Sequence, residues 1–125
     1  GAQVIHLGSF SFKDTSDGDL LTGYPMPYHG SIESFWISVG EGFVGSSGAC
    51  TLNLELGTTN VTGGVVTVAT STCGTVGTVL TATAITAENV FHAGDVLSVE
   101  GSSSATTRTS GTFNVYIKIR PRMGV

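Results

Sequence analysis

A chain of 125 residues has the size of one domain and can bury roughly two-thirds of its unfolded surface, enough for a core without staples. Five Lys and Arg against nine Asp and Glu give a net charge of −4. That balance lacks the clustered cations of a phosphate-backbone footprint, so no direct nucleic-acid partner is expected. Apolar runs fall short of the ~20 residues that cross a bilayer, and the N-terminal stretch has no basic-then-apolar signal pattern, so neither a membrane partner nor classical secretion is expected.

Charged residues make up only 11% of the chain and glycine contributes 18 residues. The surface is therefore neutral and rich in hydroxyls. Covering a hydroxyl costs less than covering an ion, which suits a protein packed against other subunits.

In chain order, Val4 to Phe12 alternates as a first strand, with Ile5, Leu7, Ser9 and Ser11 set against Val4, His6, Gly8, Phe10 and Phe12. An acidic turn follows at Asp14, Asp17, Gly18 and Asp19, then Leu20-Leu21 and the loop Gly23 to Gly30. Pro25 and Pro27 fix φ and remove donors, so this loop is excluded from any central strand. Ser31 to Val39 alternates with Phe35, Ile37 and Val39 on one face and Ile32, Ser34, Trp36 and Ser38 on the other. Glu41 to Gly48 reads as a glycine-rich connection. Ala49 to Leu56 alternates most cleanly, with Cys50, Leu52, Leu54 and Leu56 inward and Thr51, Asn53 and Glu55 outward. Beyond it, strands are expected near Val65 to Ala69 and Val79 to Thr83, separated by Ser71 to Gly74, and Thr86 to Asn89 is the one candidate helical turn. The chain closes on two strands. The first places Leu97 and Val99 opposite Val96 and Ser98. The second alternates Phe113, Val115, Ile117 and Ile119 with Asn114, Tyr116, Lys118 and Arg120. The Ser/Thr loop from Gly101 to Gly111 joins them and is expected to be mobile.

Seven or eight strands with turn signals every 8 to 12 residues predict one all-β domain over residues 1–125, an antiparallel β-sandwich of jelly-roll-like type, with a Greek-key barrel as the alternative. Its edge strands carry few charges, so neighbouring subunits are expected to protect them.

Motifs for chemistry are sparse. Asp14, Asp17 and Asp19 put three carboxylates in six residues, but without EF-hand spacing they read first as a solvated turn and only secondarily as a cation site. His6, His29 and His92 have no metal-ligand spacing. Glu33, Glu55, Glu88 and Glu100 are carboxylates that read as solvated rather than as a glycosidase pair. Cys50 faces inward and Cys73 lies in a turn. Trp36, Tyr24, Tyr28 and Phe43 are read as packing residues, with a carbohydrate platform as the rival reading. No enzymatic activity and no cofactor are expected.

The run from Ala49 to Gly101, with CTLNLELGTTNVTGGVVTV and TVGTVLTATAITAENVFHAGDVLSVE, followed by SGTFNVYIKI, resembles small virion proteins of tailed bacteriophages that decorate or cement a capsid. The resemblance covers the C-terminal two-thirds of the chain. It implies a non-enzymatic, all-β homo-oligomer, a trimer, bound to the major capsid protein on the outside of a head assembled in the host cytoplasm. A head-fibre or tail component belongs to the same type. Carbohydrate-binding or adhesive modules are the rival class, the adhesive one with a Cys50–Cys73 disulfide. The segments expected to make capsid and subunit contacts are Gly1, Ala2 and Gln3, the loop residues Tyr24, Pro25, Pro27 and Tyr28, and Arg120 and Arg122 in the C-terminal tail.

Overall fold

The computed structural model describes residues 1–15, 18–45, 49–103 and 108–122. Within them, alternating apolar residues form nine strands: β1 (Gln3–Ser11), β2 (Gly18–Pro25), β3 (Gly30–Gly45), β4 (Ala49–Leu56), β5 (Thr59–Ala69), β6 (Val79–Thr81), β7 (Val90–Phe91), β8 (Val96–Ser103) and β9 (Arg108–Pro121). They make two antiparallel sheets packed face to face. The first runs β1-β9-β3-β6, with β7 also on the free edge of β3, and the second runs β2-β8-β4-β5. The chain is an all-β sandwich.

Apolar alternation supplies the core because successive side chains of a strand leave on opposite faces. Phe113, Val115, Ile117 and Ile119 of β9, Cys50, Leu52 and Leu54 of β4, and Leu97 and Val99 of β8 are all fully buried. The expected faces hold for these three strands.

Elsewhere bulges reverse the parity. In β1 the register slips between His6 and Gly8, so Phe10 packs against the core and the following Phe12 is buried, although Ile5 and Leu7 carry the opposite parity in the sequence. In β3 it slips between Ile32 and Ser34, which turns Ile32 inward, contrary to its expected place beside Ser34 and Trp36. One added residue is enough to exchange the two faces of a strand.

Other expectations are corrected too. Glu41 to Gly45 continues β3 rather than forming a connection, and buries Phe43. The strands β8 and β9 extend into the Gly101–Gly111 segment, whose residues 104–107 lie outside the described part. Thr86 to Asn89 is not helical; a 3-10 turn at Phe12–Asp14 and one α-helical turn, α1 (Thr70–Cys73), occur instead. The proline loop holds in part: Gly23 to Pro25 end β2, which is an edge strand, where proline is tolerated.

The two sides of the sandwich differ. Along β5, residues 82–87 cross from the first sheet to the second. The Thr62 and Gly64 amides donate to Ala87 and Thr83, and those of Thr83 and Thr86 donate to Val65 and Thr62. Ala82 donates to Phe35 on the first sheet. This segment pairs the backbone groups of an edge that would otherwise be open. On the opposite side, Ile5, Leu7, Phe10, Leu20, Leu21 and Tyr24 are only partly buried along β1 and β2.

Candidate functional site

One end of the sandwich gathers residues far apart in sequence. There β1 begins, β2 ends and β3 begins, the β4–β5 turn closes, β7 and β8 begin, and β9 ends. Gln3 pairs with Ile119, Pro25 with Val96, and Gly30 with both Phe91 and Pro121. The Tyr28 hydroxyl donates to Gln3 Oε1, and the Arg122 amide donates to His29 O. Gln3, Tyr24, Pro25, Pro27, Tyr28, Arg120 and Arg122 therefore belong to this one end, with Gly1 and Ala2 leading into it.

The loops here are pinned by backbone bonds. Met26 donates to Asp95 O, Gly94 donates back to Met26 O, and Gly57 donates to Val96 O, each at 2.8 Å. Asp95 Oδ2 accepts from the His92 amide at 2.8 Å and closes the turn before β8. His29 and His92, 63 positions apart in the chain, meet edge to face with ring centroids 5.3 Å apart. Nothing in their spacing signals this contact, since it depends on the pairing of β7 with β3.

Between the β4–β5 turn and residues 88–96 lies a cleft of about 400 Å³ lined by Leu56, Thr59, Glu88, Val90, Asp95 and Val96. Glu88 has φ +58, the only non-glycine with positive φ among the described residues. Its neighbours are fixed on both sides, Ala87 by Thr62 and Asn89 by Ile32.

The outer face of the first sheet carries an aromatic row. Tyr116 of β9 stands between His6 of β1 and Trp36 of β3, with centroid distances of 5.0 and 5.7 Å and the Trp36 and Tyr116 planes only 14° apart. Flanked on both sides by rings, Tyr116 has little free face on which a sugar could stack. Cross-strand aromatic pairs of this kind stabilise a sheet. Tyr24 lies on β2 in the other sheet and Phe43 is buried, so Trp36, Tyr24, Tyr28 and Phe43 do not form one platform. Beside the row, Glu33 binds Arg120 Nε through one oxygen and lies 3.9 Å from Lys118 Nζ through the other.

The outer face of the second sheet brings together Asp19, Glu55 and Glu100, with carboxylate oxygens within 4.8 Å of one another. Among the described residues this is the one group of three ligand-type side chains so placed. It shares only Asp19 with the expected Asp14, Asp17 and Asp19 site. Asp14 ends the 3-10 turn, and Asp17 lies outside the described residues. The register explains the cluster: Glu100 faces Asp19 on one side and Asn53 on the other, with Glu55 one diagonal away. Oxygens so placed can share a proton or bridge a hard cation.

The Glu55 side chain, hydrogen-bonded to Glu100, raises the Glu100 carboxyl above its ordinary value of 4.5, and burial and the charges of Glu55 and Asp19 push the same way. The folded chain thus holds this proton more tightly than the unfolded chain. The resulting stabilisation is complete below the ordinary value and is lost as pH rises through the raised one. Thermal midpoints measured from acid toward neutrality are expected to lose this increment. Glu100→Gln should remove the loss and raise the midpoint at neutral pH; a variant with an unchanged profile would show that the repulsion is relieved in solution.

Both cysteines are buried and unbridged. Cys50 Sγ donates to Thr15 O at 3.3 Å. Comparison with protein-family models, with curated proteins and with solved structures gives no match.

Proposed function

We propose that this chain is a non-enzymatic virion structural protein, a capsid decoration or cement protein that binds the head lattice of a tailed bacteriophage as a homo-oligomer, a trimer. The observation that carries the reading is the convergence of the N-terminal residues, the Tyr24–Tyr28 segment and the end of β9 on one end of the sandwich. Three segments at one end can touch several lattice subunits at once, and many weak contacts then add through multivalency. The low charge of the chain supports the same reading, since little ion desolvation opposes broad contact. The strand orders β1-β9-β3-β6 and β2-β8-β4-β5 support a jelly roll within the sandwich class, an architecture found in viral capsid domains.

The test is co-sedimentation with undecorated heads. The intact chain should pellet with heads, and deletion of Gly1 to Gln3 combined with Tyr28→Ala should lower occupancy by about tenfold or more. Full occupancy by that variant would remove this end as the docking surface. An intact chain that ignores heads while binding a glycan array would transfer the reading to a carbohydrate-binding module.

A further inference from the structure

At the docking end, the cations and carboxylates are unevenly matched. Three of the five Lys and Arg, Lys118, Arg120 and Arg122, lie at the end of β9. Lys118 and Arg120 share Glu33, whereas Arg122 is exposed and its side chain has no partner among the described residues. On the other flank of the first residues of β3, Glu88 lines the cleft, is likewise exposed and has no side-chain partner among the described residues.

We propose that this cleft is a binding site for an arginine side chain, and that its occupant is Arg122 of a second copy of the chain. It rests on the oligomer reading above and names the contact that builds the oligomer. The chemistry fits a guanidinium on an apolar stem. Val90 and Val96, 48% and 43% exposed, with Leu56 offer a wall for the methylenes. Glu88 and the Asp95 oxygen not engaged by the His92 amide offer acceptors for the planar fork. The bonds on either side of Glu88 fix the backbone from which its side chain projects, so little main-chain ordering is needed on binding.

The geometry favours a second copy over a foreign peptide. Gly30 pairs with Pro121 on one side and with Phe91 on the other, so the cation and the cleft occupy opposite flanks of a single strand at the same end. Each molecule presents one half of the contact to each neighbour. Such an unlike-to-unlike contact propagates around an axis and closes into a ring when the rotation permits.

The experiment is sedimentation velocity on the full chain across protein concentration, at about 50 mM and 500 mM salt. The wild type is expected to self-associate, more weakly at high salt. Arg122→Glu or Glu88→Arg alone should weaken association by at least about tenfold, and the combined charge swap should restore most of it. Glu88→Gly, which suits the positive φ and so preserves the fold, should weaken association as well. An oligomer unaffected by the single variants overturns this contact and leaves the oligomer reading standing. A wild type that stays monomeric overturns both. Association that persists in Arg122→Glu, with an Arg-rich peptide binding the chain without disturbing that association, would overturn this contact and make the cleft a site for another protein.

Discussion

Phe12→Ala is expected to lower stability by about 3–5 kcal/mol and the thermal midpoint by roughly 10–20 °C. Phe12 is fully buried although it belongs to a turn, and its ring lies 4.7 Å from those of Phe43 and Phe113. The turn exists to deliver it: Ser11 Oγ accepts from the Lys13 amide, and the buried Thr15 hydroxyl donates to Phe12 O at 2.6 Å. Gly111 makes room for the ring, since a Cβ there would stand 2.6 Å from Phe12 Cδ2. With Phe43 of β3 and Phe113 and Gly111 of β9 packed against the ring, the cavity left by alanine has little freedom to collapse. In urea the midpoint should fall with the slope unchanged. A loss below about 1 kcal/mol would mean that Phe43 and Phe10 refill the space.

Gly63→Ala is the second large effect, about 2–4 kcal/mol, and its cause is backbone rather than packing. Gly63 has φ +79, and a Cβ would meet Ala84 O at 1.9 Å. The segment 82–87 must then move off β5 and break the bonds of Thr62 and Gly64 on either side of the substitution. The expected signature is local. Amides of Thr62, Gly64, Thr83 and Thr86 should exchange faster than those of β9, and the uncovered edge should draw the variant into aggregates. Uniform acceleration across both sheets would instead mean that the segment and the core open together.

The fold class was legible because the strands that carry most of the core keep a strict period of two: Phe113 to Ile119, and Cys50 to Leu54. What was not legible has a common physical cause. A bulge adds one residue and reverses the faces after it, as at His6/Gly8 and Ile32/Ser34. No local pattern announces it, because Gly8 and Glu33 suit a regular strand's outer face equally well. The Asp19, Glu55 and Glu100 cluster and the His29–His92 contact depend on which strands become neighbours, which is a property of the topology. Gln3, Tyr28 and Arg122 could be named separately from exposure and residue type. Their shared position follows from three strand ends meeting.

The position of β9 between β1 and β3 sets the order of events at the ribosome. Gln3 pairs with Ile119, so the first sheet must wait until the chain has been made through residue 119. Until β9 emerges, β1 and β3 each lack a neighbour that supplies their hydrogen bonds and most of their buried contacts. Assembly of that sheet is therefore a late event, slow for its size because the pairings it needs close the longest loops in the chain. As the strand that joins β1 to β3, β9 acts as a keystone, and a chain released before it cannot close the first sheet.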